Sequence, residues 1–394
     1  MSNILPMPSF THLGIRNYKR LADCQLDLRP LAVMIGANGV GKTSLLEVIE
    51  LLRGAAKTEL NARIVAKGGL DSLLTFDRAE SLELSIRMPV SNYPSIDYRV
   101  ELSRRGPTYF IKSESLSQTR HPDRPPFLYI NSSADNVRYY EKIDAESAGR
   151  LTRPTWEHDP FEASLSQVPK MFREPEEFRN KLASVSSFGI MNVGPNAPVR
   201  QPQQLRPVTV LSESGDDLIS SLYFLRETNR DRFDVLQETL SAAFPDFERL
   251  DFPPVAAGML TLTWKDRKFR HAVYLHQLSE GTVRFLWLAA LLLSETLPAV
   301  TLIDEPEVSL HPELLGIVAD LLRGASQRTQ LIVATHSDRL IQFLRPNEVL
   351  VLDRQEDGTT KMTWADSPKL DIEKWMKEFT LDEVWQMGQM GGRS

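Results

Sequence analysis

The chain has 394 residues, 42% of them hydrophobic and 25% charged, with a formal net charge of -6. That length buries a large core and that balance excludes a disordered chain. The acidic net charge excludes a surface uniformly coated for nucleic acid and leaves room for a local basic groove.

One cysteine, Cys24, rules out a disulfide framework and a cysteine-rich zinc site, and it fits a reducing, cytoplasmic setting. The opening ten residues lack a basic-then-apolar leader, and the longest apolar run, Phe285 to Leu293, is too short to span a bilayer. No membrane association is expected.

From the N-terminus, residues 10–18 and 24–28 are patterned as strands, and 31–36 is a short apolar run leading into a glycine loop. Apolar residues then recur at helical spacing from 42 to 53. Segments 81–90, 97–106 and 107–117 alternate between turn residues and predict an antiparallel layer. Between 118 and 207, polar and proline-rich pieces predict loops or insertions. Two amphipathic helices are expected at 214–227 and 232–244, the first capped by Ser214, followed by strands at 247–252 and 259–266. Helix 282–297, strand 299–303, helix 312–323 and strand 330–335 then alternate as a parallel α/β sheet should. There is no internal repeat and no sustained heptad pattern.

Gly36-Ala37-Asn38-Gly39-Val40-Gly41-Lys42-Thr43 completes the phosphate-loop pattern between an apolar strand and a helix, the context its chemistry needs. Backbone N–H groups and the helix N-terminus supply positive field, Lys42 a point charge, and the Thr43 hydroxyl a magnesium ligand, with Ser44 next on the first turn. Downstream, "VTLIDEPEVSLHP" delivers Asp304 and Glu305 at the end of an apolar strand, where ligands gather in parallel sheets. Asp304 is expected to hold the magnesium and Glu305 to polarise the attacking water as general base. Glu307 is the rival carboxylate, set further into the following loop. His336, just past the next apolar strand, would emerge on the same edge and reach the γ-phosphate and the water.

Leu278-Ser279-Glu280-Gly281-Thr282, just before a helix and one helix ahead of the Asp-Glu strand, resembles the signature motif of ATP-binding-cassette ATPases. With the phosphate loop, Asp304-Glu305-Pro306 and Thr335-His336-Ser337, the resemblance covers residues 9–53 and 270–353. It implies ATP and Mg2+ as ligands. It also implies a homodimer formed on ATP binding, or a higher oligomer, in which Ser279 and Gly281 of one subunit close over the nucleotide of another. A glutamine linking magnesium to the signature lobe is implied too, and Gln167 in "EASLSQVPK" is the candidate.

"LGIRNYKRLADCQLDLRP", "LSEGTVRF" and "EPEVSLHP" resemble the RecF, SMC and overcoming-lysogenization-defect branch of that superfamily. The interval from Thr43 to Leu278 carries no heptads for a coiled-coil arm, and the stretch after Asp353 is too short for a Toprim nuclease domain. A stand-alone ATPase is therefore expected.

The expected fold class is α/β: a cassette-type phosphate-loop core with an antiparallel β layer and an inserted helical lobe. The expected divisions are 1–120 for the first part of the core, 121–245 for the inserted lobe, 246–353 for the second part of the core and 354–394 for a tail. In that tail Trp375, Phe379 and Trp385 would pack back on the core. By resemblance, such a switch serves anti-phage defence or DNA metabolism and controls a separately encoded effector. The rivals are a RecF-like DNA-binding repair ATPase and a nucleotide-binding scaffold without turnover. For DNA, Lys265, Arg267, Lys268 and Arg270 form one basic run and Arg226, Arg230 and Arg232 another, although a solvated turn is the more frequent origin of such runs. Arg16 and Lys19 are candidates for touching the nucleotide.

Overall fold

The computed structural model describes residues 7–77, 79–119, 123–134, 136–141, 150–153, 157–168, 173–256, 258–368, 370, 380–388 and 391. At its centre is a six-stranded sheet in the order Ser186–Phe188, Val300–Asp304, Gln330–Ala334, Leu31–Ile35, Val349–Arg354, Thr360–Trp364. The first five strands run parallel and the last returns antiparallel. Every residue of Leu31–Ile35 and of Gln330–Ala334 is buried, as a parallel sheet covered on both faces requires. Alternation along the strand sorts side chains by face: Leu31, Val33 and Ile35 join one apolar cluster, Ala32 and Met34 the other.

The phosphate-loop helix, Lys42–Lys57, belongs to the second cluster, where Leu45, Leu46, Val48, Ile49 and Leu52 meet an eight-stranded antiparallel sheet. In the strand Ser81–Val90 of that sheet, Leu82, Leu84, Ile86 and Met88 are buried while the residues between them are more exposed. This is the alternation of a sheet wet on one face. Each such aliphatic side chain taken from water contributes roughly 1.5–3 kcal/mol.

The opposite face of the parallel sheet carries helices Leu218–Thr228, Arg230–Ala243, Glu280–Leu293 and Leu315–Ala325, with a small sheet of Phe247–Asp251, Thr263–Asp266 and Val273–Tyr274. In Glu280–Leu293 almost every residue beyond the first turn is buried, so this helix is core on all sides.

Several expectations are corrected. The weakly patterned region between 118 and 207 contains strand Phe127–Ser132, helix Arg173–Ala183 and the sheet-edge strand Ser186–Phe188. Its polarity hid them, because that helix buries Phe178 and Leu182 among charged neighbours and that strand buries only Phe188 fully. Ser214 does not cap a helix. The helix starts at Leu218 after Asp217, whose carboxylate accepts the Ser212 N–H, and Gly215 turns the chain at φ 70° with Met191 and Trp287 against it. The strand expected at 259–266 breaks into Met259–Leu260 and Thr263–Asp266, which pair with different partners. The helix expected at 282–297 runs from Glu280 to Leu293.

In the tail, helix Leu381–Gln386 buries Leu381 and Val384 in the first cluster with Trp385 packed against it. Trp375 and Phe379 lie outside the described residues. Among the described residues, no helix is long and apolar enough to cross a membrane.

Candidate functional site

Sheet register assembles the site. Asp304 pairs with Ala334, and Ala334 with Met34, so Asp304, His336 and Gly36 leave the sheet at one edge. Gly36 follows the buried strand at a point where a Cβ would lie 2.4 Å from the Leu352 carbonyl oxygen, so only glycine passes there. Gly41 precedes the helix at φ 111° with no side-chain cap, which leaves the first-turn N–H groups free for an anion. Thr360 donates to the Val40 carbonyl at 2.5 Å and pins the loop from the neighbouring strand. Sequence reading missed Thr360; it sits on a hairpin strand remote in the chain and carries no motif.

Lys42 is 4% exposed, and its Nζ donates to the carbonyls of Gly36 (2.5 Å) and Ala37 (3.1 Å). The same nitrogen lies 3.3 Å from His336 Nδ1. On its other side the imidazole Nε2 is 3.5 Å from Glu305 Oε1. One histidine therefore bridges the phosphate-loop lysine and the first loop carboxylate. Thr43 is exposed on the first helical turn beside Ser44.

Glu305 has a left-handed backbone, φ 52°, and its N–H donates to Ala334 O at 2.8 Å. Holding a non-glycine residue there costs roughly 1–2 kcal/mol, a strain met where a side chain must be aimed. Glu307 is engaged differently. Its Oε1 accepts from the Thr335 hydroxyl (2.7 Å) and the His336 N–H (2.8 Å), tying the acidic loop to the histidine loop.

Burial, then Glu305 and Glu307, push the Asp304 carboxyl up to about 6 against the pull of Lys42. Burial also brings the Lys42 ammonium down to about 8, opposed by Asp304, Glu305 and Glu307. A divalent cation at Asp304 would offset the negative charge that Glu305 and Glu307 add to it, and Glu307 Oε2 is buried and unpartnered among the described residues. Among the described residues no three His, Cys, Asp or Glu side chains converge as a metal cage. The donor set of one aspartate and one hydroxyl suits magnesium, which keeps water and phosphate oxygens as its other ligands.

On the signature segment, the Ser279 hydroxyl accepts the Thr282 N–H at 3.1 Å and caps the helix. A Cβ on Gly281 would lie 2.3 Å from Ser309 O, so this glycine lets the first helical turn rest on the loop that follows Glu305. Among the described residues no hydrogen bond joins Ser279 or Gly281 to the phosphate loop of the same chain.

Other candidates are spent elsewhere. Gln167 accepts from the Asp159 N–H and donates to the carbonyls of Asp159 and Glu162, so its amide closes a local turn and makes no bond to the phosphate loop. Arg16, more than half exposed, pairs with Asp23 and Glu83, and Lys19 pairs with Glu47. Arg226 stacks on Tyr223 and Phe252, Arg230 pairs with Asp234, and Arg232 donates to the carbonyls of Leu293 and Ser294. In the other basic run, Lys265 closes its own turn and Lys268 pairs with Asp246, while Arg267 and Arg270 are exposed.

The family described as "AAA domain, putative AbiEii toxin, Type IV TA system" matches residues 31–342, from the phosphate-loop strand to beyond His336. The chain belongs to this AAA family. The chain is 22% identical over 176 residues to an OLD nuclease of Thermus scotoductus, covering 40% of this chain and 33% of the nuclease. It is 23% identical over 146 residues to a protein of Cyanidium caldarium named "Probable ATP-dependent transporter ycf16", covering 36% and 57%. The Septu protein PtuA of Bacillus thuringiensis is 28% identical over 83 residues, 21% of each chain. The matched stretches thus span a third of the nuclease, about half of the transporter and a fifth of PtuA. In fold the chain is similar to an SMC head solved bound to the C-winged helix domain of ScpA, with a TM-score of 0.53 and 15% identity over 90% of this chain and 98% of that one. The fold is therefore that of an SMC head, and an OLD nuclease and the Septu protein PtuA are among the chain's relatives.

Proposed function

We propose that this chain is an ATP-driven dimerising switch that hydrolyses ATP to ADP and phosphate and controls a separately encoded effector, in the cytoplasm, in anti-phage defence or DNA metabolism. The observation that carries the reading is His336, within 3.3 Å of Lys42 Nζ and 3.5 Å of Glu305 Oε1. One imidazole touches both the cation suited to the γ-phosphate and the carboxylate suited to the attacking water.

In this reading the N–H groups from Gly36 through Ser44 and the Lys42 ammonium hold the phosphates. Asp304 and the Thr43 hydroxyl hold Mg2+, which neutralises phosphate charge when bound. Glu305 accepts the water's proton, and His336 orients that carboxylate toward the γ-phosphate. Ser279 and Gly281 of a second copy close over the same phosphate. Gln167, folded into its own turn, takes no part. Likeness to PtuA and to the OLD nuclease supports the defence setting. A DNA-binding repair ATPase is the second reading, favoured by Arg267, Phe269 and Arg270, all exposed on the hairpin ahead of the signature. The complete set of Lys42, Asp304, Glu305 and His336 weighs against a scaffold without turnover.

Glu305→Gln tests the reading, since it removes the base and keeps Asp304. The variant is expected to bind ATP and double its mass by light scattering when ATP and Mg2+ are added. Wild-type turnover would move the base role to Glu307, and bound ATP without a change in mass would remove the dimer.

A further inference from the structure

Arg200 ends the short helical turn Pro198–Arg200 and is 4% exposed. Its guanidinium donates from Nε to the Val193 carbonyl at 2.7 Å, and from Nη1 to the carbonyls of Leu275 at 2.9 Å and Leu278 at 2.8 Å. All three acceptors are peptide oxygens, so among the described residues this buried charge is matched by backbone dipoles rather than by a carboxylate. A buried cation is costly, and packing alone is served better by an apolar side chain. What the guanidinium does that an apolar group cannot is clamp both ends of the turn Leu275–Leu278.

The position of that turn gives the clamp its meaning. Leu278 contributes the peptide immediately before Ser279, whose hydroxyl caps the signature helix. On the far side, Gly281 rests on Ser309 O. The Ser279 segment is thus held from behind by Arg200 and from below by the acidic loop, while Ser279 itself is exposed. Arg200 also connects back to the sheet. Val193 lies five residues beyond Phe188, which pairs with Ile303, the residue before Asp304. Through Val193, Arg200 ties the signature turn to the sheet edge that carries the acidic strand.

We infer that Arg200 is a positioning residue: it preforms the Leu275–Leu278 turn so that the Ser279 hydroxyl and helix N-terminus are presented to the nucleotide of a second copy. The inference rests on the reading of Ser279 as acting across a dimer. Two measurements separate the two ideas. In the nucleotide-free protein, Arg200→Met is expected to speed hydrogen exchange of amides 275–283 by about tenfold or more, while helix Lys42–Lys57 exchanges as in wild type. In the Glu305→Gln background, calorimetry of Arg200→Met at protein concentrations too low for dimerisation is expected to show unchanged ATP affinity of the single chain, while ATP-dependent dimerisation at higher concentration weakens by at least about tenfold. Arg200→Lys keeps the charge but not the fork, and is expected to fall between. Should Arg200→Met fail to fold, Arg200→Lys carries both comparisons.

Unchanged exchange at 275–283 overturns the clamp, and a rise spread equally over 42–57 reduces Arg200 to general stability. Faster exchange with undiminished dimerisation overturns presentation to a second copy. A Glu305→Gln parent that binds ATP yet stays monomeric removes the dimer reading itself, and with it presentation, whatever Arg200 does to the turn.

Discussion

Lys42 satisfies its buried ammonium with two carbonyls of its own loop, acceptors that phosphate oxygens would replace. Its partner across the site, Asp304, is held at about 6 against an ordinary value of 3.8. A carboxyl with a raised folded value binds its proton more tightly when folded. Stability is then lost as pH rises from about 4 through 6 and stays lost above. Lys42, lowered to about 8 from 10.5, is the mirror case, and stability returns as pH rises from 8 through 10.5. Near neutrality the nucleotide-free site therefore carries both penalties. Asp304→Asn is expected to be more stable than wild type at pH 7.5 by about 1–2 kcal/mol, allowing for partial solvent exposure, with the gap closing by pH 4. Urea unfolding across that pH range without nucleotide measures it, and no gain at pH 7.5 would refute the crowding.

The elements explain why single residues sit where they do. The signature helix and the acidic loop meet where Gly281 faces Ser309, itself at φ 64° and already turned out of the common backbone regions. Since the obstacle to a Cβ is a backbone oxygen, the helix or the loop must move. Gly281→Ala is expected to cost about 1–3 kcal/mol in thermal or urea unfolding, as overpacking does elsewhere. A wild-type melting profile would show that the loop yields freely. The histidine loop is held on two sides: Glu307 grips Thr335 and the His336 amide, and the tail's Gln386 donates to Asp338 at 3.3 Å, two residues beyond His336.

At the scale of the whole molecule, the signature and the phosphate loop of one chain make no hydrogen bond to each other among the described residues, and the proposed reading completes the site across two copies. Ser279→Arg leaves its own phosphate loop intact and places bulk and charge against the other copy's nucleotide, while Lys42→Ala removes the loop's charge. Mixed together, the two variants can form a dimer with both lesions in one site and a sound second site. Partial hydrolysis in the mixture, with neither variant active alone, is the expected result of a steady-state assay. Normal hydrolysis by Ser279→Arg alone would dispose of composition across the interface.

Much of this protein was legible one-dimensionally because the residues of its candidate site lie in short local motifs. The phosphate loop needs glycines at fixed offsets between a buried strand and a helix, and the acidic and histidine strands are uninterrupted apolar runs that end abruptly in polar residues. Pattern and position coincide there, so the convergence of Gly36 to Thr43, Asp304, Glu305 and His336 on one sheet edge follows from the strand order. The tertiary structure alone decided everything that depends on a partner distant in the chain. It tied one oxygen of Glu307 to the histidine loop, paired Arg16, Lys19 and Arg230 with nearby carboxylates, set Arg226 on neighbouring rings and Arg232 on carbonyls, and folded Gln167 onto its own turn. It also drew strand Ser186–Phe188 out of a polar stretch and set Arg200 behind the signature and Thr360 under the phosphate loop. A hydrogen bond to a carbonyl leaves no pattern in the acceptor's residue type, because every residue has that oxygen. Such contacts become visible only when the chain has folded.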